Sequence, residues 1–416
     1  FQRSYMKVAK LFWLACIFSL ALIPPETYRP QVNTLSAPDT LWLNRFIAEK
    51  APHLLPYLKE AATYRLQIIY TQVNRDANNR PILKHYAFRL DTNEYFYPAS
   101  VVKLPLAVLA LEKINRLRGL GISEKSLLQL ERGEKGCLRE APAEAYTVEE
   151  AILRQLVFSD NLTYDYFYAL VPPWEATQTL RSRGYGSVFL GHRLGRSCGP
   201  QENRCIEGVR LLSPEGKLLH RMAPRCEDTL PAHPYAGHPY LLDLQGNSLS
   251  LKDAHQMLIS LIFPITVPRR QRFQLRTEDY ALIRRYLSMY PSETGLSKVF
   301  PPNIYYDAVR KYFLLGASDT ARLPERIRIF NKVGMAYGYL VDCAYIVDFE
   351  VGVEFFVSAV MRVESPMPGP SAAGYNWAKG LSFFRELGWA LYRYETARKR
   401  PRTPDLSGLR YVYKNR

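Results

Sequence analysis

Two groups of strand-like residues stand near opposite ends of the chain with helical sequence between them, and this arrangement limits the fold more than any other feature. Near the start, Tyr64 to Val73 and Ile82 to Leu90 are rich in β-branched and aromatic residues, and the turn-forming segment Asn74 to Pro81 parts them; the pattern predicts a hairpin. Near the end, Arg326 to Lys332 alternates, Gly338 to Phe349 reads as a second strand with Asp342 near its centre, and Val351 to Val363 is almost wholly apolar, which predicts a three-strand meander. Between them, residues 100–118, a segment opening at the capping-box sequence Thr147-Val148-Glu149-Glu150, and residues 174–183, 249–262 and 277–290 carry helical spacing. A last helix is expected over Gly374 to Arg398, with Trp377, Leu381, Phe384, Leu387, Leu391 and Tyr394 near one face. The expected class is α+β, an α/β sandwich: one antiparallel sheet built from both chain ends with a helical subdomain inserted into it.

Three short motifs lie on this framework. Ser100-Val101-Val102-Lys103 falls where the aromatic loop Tyr95-Phe96-Tyr97-Pro98-Ala99 gives way to the apolar run Leu104 to Ile114. Residues three apart share a helix face, so the Lys103 amine can reach the Ser100 hydroxyl. A helix N-terminus adds unpaired N–H groups and the positive end of a dipole, both of which favour a serine alkoxide. Ser159-Asp160-Asn161 follows Ser100 by 59 residues, and Lys332-Val333-Gly334 lies on the first strand of the meander. Each has a plain structural reading: a solvated helix start, a helix-ending turn, a lysine at a strand end. Their occurrence together and in this order favours catalysis.

In that order S-x-x-K, S-D-N and K-[TS]-G are the signature of the penicillin-recognising serine hydrolases, and the chain resembles the class A β-lactamases over roughly residues 60–190 and 250–395. The resemblance implies the β-lactamase/DD-peptidase-like fold and an acyl-enzyme formed on Ser100 with a β-lactam or related amide. It implies that Lys103 is the general base or proton relay, with Lys332 as a second cation lowering its charge, and that Ser159 passes the proton to the leaving nitrogen. Asn161 would bind the substrate amide. Val333, Gly334 and Met335 would line the substrate strand, Met335 supplying an oxyanion N–H together with Ser100, and a side chain at Gly334 would crowd the substrate. No cofactor is implied.

Two departures affect the chemistry. Val333 stands where a Thr or Ser hydroxyl would help to hold a carboxylate, and valine cannot donate a hydrogen bond. Nothing between Ser187 and Leu212 matches the E-x-x-L-N loop that supplies the deacylating glutamate in class A enzymes; the chain reads Gly191-His192-Arg193-Leu194-Gly195-Arg196 there, with Glu202 and Glu207 the nearest carboxylates. A long-lived acyl-enzyme would suit a DD-peptidase, an esterase-like hydrolase or a sensor acting on cell-wall peptides. From another class, a non-catalytic envelope-binding module would retain the fold alone.

The rest bears on compartment and partners. Met6-Lys7-Val8-Ala9-Lys10, the uncharged run Leu11 to Ile23 and Pro24-Pro25 read as a secretory signal or N-terminal anchor over residues 1–25, with Met6 the expected start; Cys16 admits a lipid-anchor alternative. A helical lead-in is expected over 26–60, the hydrolase domain over 61–397 and a basic tail over 398–416. The Cys- and Pro-rich stretch of about 190–248 reads as an elaborated loop or insertion. Export permits disulfides, with Cys198–Cys205 the expected bridge; zinc held by the same cysteines with His220, His233 and His238 is the alternative, without any recognised ligand spacing. Lys and Arg exceed Asp and Glu by 55 to 39, a net +16 spread along the chain, which points to anionic envelope polymers rather than nucleic acid.

Overall fold

The computed structural model describes residue 35 and residues 38–413 except 135, 240, 242–245 and 364–373. The expected signal or anchor segment therefore lies outside the described residues. Strands are numbered in chain order: β1 Gln67–Arg75, β2 Pro81–Phe88, β3 Leu127–Glu131, β4 Ala145–Thr147, β5 Cys205–Ile206, β6 Gly208–Leu212, β7 Leu218–Met222, β8 Arg225–Cys226, β9 Ile327–Ala336, β10 Tyr339–Asp348 and β11 Val353–Arg362. The main sheet has the order β2-β1-β11-β10-β9, antiparallel throughout, with β1 joined to β11 at Gln67 opposite Val360 and Ile69 opposite Ser358. The α+β class and the sheet made from both chain ends are as expected.

Alternation along the strands feeds two cores. Ile69, Val73, Phe330, Phe356 and Val360 face the inserted helices, among them Lys103–Arg116, Asn161–Leu170 and Leu251–Ile262. Ile68, Tyr70, Ile329, Phe355, Val357 and Met361 face the helices Trp42–Lys50 and Trp377–Ala397. Of the expected terminal face, Phe384, Leu387 and Leu391 are buried, while Trp377, Leu381 and Tyr394 pack at its margin. Burial on both sides fixes the register, because a slip by one residue would exchange the two faces.

Two expectations change. The stretch 190–248 is not loop alone: β6 and β7 join β3 and β4 in a second sheet of order β4-β3-β6-β7. Cys198 does not pair with Cys205. The bridges are Cys137–Cys198 and Cys205–Cys226, because β5 and β8 place Cys205 directly opposite Cys226. Those bridges consume the thiols that the zinc alternative requires. Cys343 is the buried free thiol among the described residues. Residues 398–413 run back over the fold, with Leu406 and Leu409 buried and the Ser288 and Tyr413 hydroxyls 2.6 Å apart.

Candidate active site

The nucleophile motif sits on a tight turn. A 3-10 turn, Ala99–Val102, runs into the helix Lys103–Arg116, and Ala99 has φ +47, a left-handed conformation that costs a non-glycine residue on the order of 1 kcal/mol. Eleven of the fourteen helix residues, Lys103 included, are buried, so the amine is held inside the protein. Pro105 lies in the first turn, where no helical N–H is needed.

Ser159 is placed by an unusual junction. The helix Val148–Leu153 widens into a π-turn, Arg154–Phe158, and Ser159 ends it at φ +60. Asp160 then caps the next helix, its carboxylate accepting from the N–H groups of Leu162 and Thr163 at 3.2 Å each. The helix-ending turn expected of this tripeptide is therefore present, and the same junction sets the positions of Ser159 and Asn161. Thr147 caps as expected, accepting from Glu150 N at 3.0 Å; the reciprocal half of the capping box gives way to an ion pair of Glu150 with Arg154.

These elements converge with β9. Lys103 Nζ lies 2.8 Å from Ser100 Oγ, 2.6 Å from the Ser159 carbonyl, 2.5 Å from Asn161 Oδ1 and 3.3 Å from Ser159 Oγ. Lys332 Nζ donates to Ser159 Oγ at 2.9 Å. Burial pushes Lys103 down to about 7, helped by the nearby charge of Arg310; Lys332 is pushed well below its ordinary value by burial and then by Lys103. Arg310, which donates to the Phe158 carbonyl at 3.4 Å, is thus a further cation acting on Lys103 beside the Lys332 that the resemblance implied.

A cleft of about 440 Å³ opens over Ser100. Asn161 and Met335 line it, as do Tyr95, Tyr97, His192, Arg193, Arg196 and Tyr337. Val333 and Gly334 do not. Val333 is 2% exposed and belongs to the apolar cluster on the far face of the sheet. Gly334 is required for a different reason from the one expected: a Cβ there would come within 2.4 Å of the Pro98 carbonyl and 3.2 Å of Ala99 Cβ, so it meets the turn that carries Ser100 rather than substrate.

The loop 191–196 forms one wall. Asn247 Oδ1 accepts from Gly191 and His192 N–H, Asn203 Oδ1 from Arg193 N–H, and Asp165 Oδ1 from Leu194 and Gly195 N–H. Beneath it Arg193 and Arg196 pair with the fully buried Glu207, and Arg196 also with Asp165. Gly195 packs so closely on the helix Asn161–Leu170 that a Cβ would lie 2.8 Å from the Asn161 carbonyl. Neither carboxylate considered for deacylation is among the cleft-lining residues: Glu207 is held by the two arginines, and Glu202 accepts from Gly199 and Cys137 N–H at 2.7 and 3.0 Å. Arg310, Asp165, Asn203 and Asn247 were not singled out from the sequence; single polar residues without motif spacing give no signal.

The Beta-lactamase enzyme family matches residues 67–394 of the chain. Among solved structures the chain is similar to a beta-lactamase from Sphaerobacter thermophilus DSM 20745, at 14% identity and TM-score 0.48, over 84% of this chain and 97% of that one. It is also similar to a class A beta-lactamase representative from Bacteroides cellulosilyticus DSM 14838, at 11% identity and TM-score 0.46, over 84% and 99%. A third is L2 complexed with relebactam, at 16% identity and TM-score 0.45, over 82% and 94%. No curated protein matches the chain.

Proposed function

Because the chain belongs to the beta-lactamase enzyme family, we propose that it is an exported serine hydrolase that opens a β-lactam through an ester formed on Ser100. The observation that carries this reading is the environment of Lys103. A neutral amine has two N–H groups and one lone pair. Two of its neighbours, the Ser159 carbonyl and Asn161 Oδ1, can only accept, so they take both N–H groups and leave the lone pair for the Ser100 hydroxyl.

Lys103 then takes the hydroxyl proton while Oγ forms a bond to the carbonyl carbon. The tetrahedral oxyanion is met by the N–H groups of Ser100 and Met335. When the C–N bond breaks, the Ser159 hydroxyl gives its proton to the leaving nitrogen and is recharged along Lys103 and Lys332, which both lie within hydrogen-bond reach of it. Asn161 faces the same cleft and holds the substrate's side-chain amide. Two disulfides support an oxidising compartment, and the net charge of +16 supports residence near anionic envelope polymers.

One observation favours a cell-wall peptide or an ester as acyl donor: Val333 offers no hydroxyl and lies outside the cleft lining. Incubation with nitrocefin and with a fluorescent penicillin, followed by mass spectrometry of the Ser100 peptide, separates the two. Turnover with a transient adduct supports the β-lactam reading. A stable adduct supports the peptide or ester reading. No adduct on wild type, or labelling that survives Ser100→Ala, refutes the serine mechanism.

A further inference from the structure

Resting on the acyl-enzyme reading above, we propose that His192 is the general base that hydrolyses the Ser100 ester, receiving the proton of the attacking water through the Tyr97 hydroxyl. His192 Nδ1 lies 2.6 Å from the Arg193 carbonyl, which can only accept, so the ring proton sits on Nδ1. In the neutral ring Nε2 is then an acceptor, and the Tyr97 hydroxyl lies 3.2 Å from it. The two rings are stacked, with centroids 5.9 Å apart and planes within 6°. Tyr97 stands three residues before Ser100, and all three side chains line the same cleft.

The placement is a built one. Asn247, Asn203 and Asp165 tie down the backbone of loop 191–196 on both sides of His192, and Tyr337 packs edge to face on Tyr97, ring centroids 5.0 Å apart. Burial raises the Tyr97 phenol well above its ordinary value, so it stays protonated and can act only by passing one proton on as it takes another. The charged and titratable groups that share the cleft with the histidine are Tyr95, Tyr97 and Tyr337, with Arg193 and Arg196 on its own loop, both arginines being paired with Glu207. Among the described residues the cleft lining contains no carboxylate to compete for the role.

The step balances. The water oxygen bonds to the acyl carbon, its proton moves to Tyr97 Oη, and the phenolic proton moves to His192 Nε2. Collapse of the tetrahedral intermediate breaks the bond from carbon to Ser100 Oγ, and Oγ takes a proton from Lys103, whose amine is 2.8 Å away and which, left neutral once Ser159 was recharged, draws that proton from solvent. His192 then releases its proton to solvent. Free acid and free serine remain.

The test separates ester formation from ester hydrolysis. Wild type, His192→Gln and Tyr97→Phe are acylated with a fluorescent penicillin, freed of excess reagent, and the decay of the Ser100 adduct is followed by intact mass from pH 5 to 9, with circular dichroism confirming that each is folded. In wild type, decay should rise with pH along a single ionisation as His192 takes its neutral form. His192→Gln should slow it about 10²- to 10⁴-fold and flatten the profile. Tyr97→Phe should slow it about tenfold or more and move the ionisation upward, because the donor that favoured the neutral ring is gone. An adduct that forms on Ser100 and decays equally fast, with the same pH profile, in all three proteins overturns this proposal and leaves the acyl-enzyme reading standing. Absence of any Ser100 adduct in wild type overturns both.

Discussion

Substituting Gly334 by alanine tests whether β9 and the nucleophile turn are fitted to each other by contact alone. The added Cβ would sit 2.4 Å from the Pro98 carbonyl oxygen and 3.2 Å from both Ala99 Cβ and Val101 Cγ2. Ordinary contact needs about 1 Å more than the first of these, and the obstructing atom is backbone on one side and strand on the other, so neither yields by a rotamer change. Overpacking of this kind costs about 1–3 kcal/mol. The segment that must move is Pro98–Ala99, the two residues that aim Ser100, and a misplacement of about 1 Å in a reacting group lowers rate about 10²-fold. Urea denaturation reads the first effect and Ser100 acylation by a fluorescent penicillin the second. Gly119, whose Cβ would meet nothing within 4 Å, is the control, and Gly119→Ala should change stability by less than about 0.5 kcal/mol. A Gly334→Ala protein as stable and as readily acylated as wild type would show that the close approach does not hold the turn in place.

Acylation should rise with pH through an inflection near the value of about 7 to which burial pushes Lys103, and Lys103→Met should abolish the rise together with at least about 10²-fold of the rate; stopped-flow labelling reads both, and a pH-independent wild type contradicts the neutral amine. Stability should increase from pH 7 to 9. Lys103 and Lys311 are lowered to about 7 and Lys332 well below its ordinary value, whereas unfolded lysine ionises near about 10.4, so the unfolded chain binds more protons in this window and is penalised as pH rises; urea midpoints that fall instead would refute it. Replacing Cys137 and Cys198 together by serine should lower stability by about 4 kcal/mol, from the loop their separation of 61 closes, measured by thermal or urea melting; a loss under about 1 kcal/mol would refute the constraint. Val333→Thr should cost about 1–3 kcal/mol by burying a hydroxyl in the apolar cluster, without tightening β-lactam binding; a stable variant with lower Kd would show that the side chain does reach the cleft.

The parts of the fold that were legible in the sequence are those with long, regular periodicity. The β1–β2 hairpin, the β9–β11 meander and the last helix each bury whole faces, so apolar residues recur at fixed intervals and the ends fall within a few residues of expectation. The second sheet was hidden because its strands are only three to five residues long; Leu218-Leu219-His220-Arg221-Met222 carries no alternation to read. The partner of Cys205 depended on a separate two-stranded sheet, since the pairing of β5 with β8 sets Cys205 against Cys226. In the site, Ser100, Lys103, Ser159, Asn161 and Lys332 were found through motif order and converge in space. Val333 and Gly334 were assigned to substrate by the same motif, but strand alternation turns Val333 away and the turn before Ser100 occupies the space beside Gly334. His192 lay within a stretch noted only for what it lacked, and its role depends on the Tyr97 ring, 95 positions earlier in the chain.

The join between β1 and β11 also sets the timetable of maturation. The turn that carries Ser100 leaves the ribosome well before the strand it leans on, β9, and the strand that ties the opening hairpin into the sheet, β11, which are made some 230 to 260 positions later. Until then the early hairpin presents an open edge, a hazard for sticking to other chains. A nascent protein of this design has to be kept apart from its neighbours until β11 has been made, and any premature stop before residue 353 yields a product whose β1 lacks its partner strand.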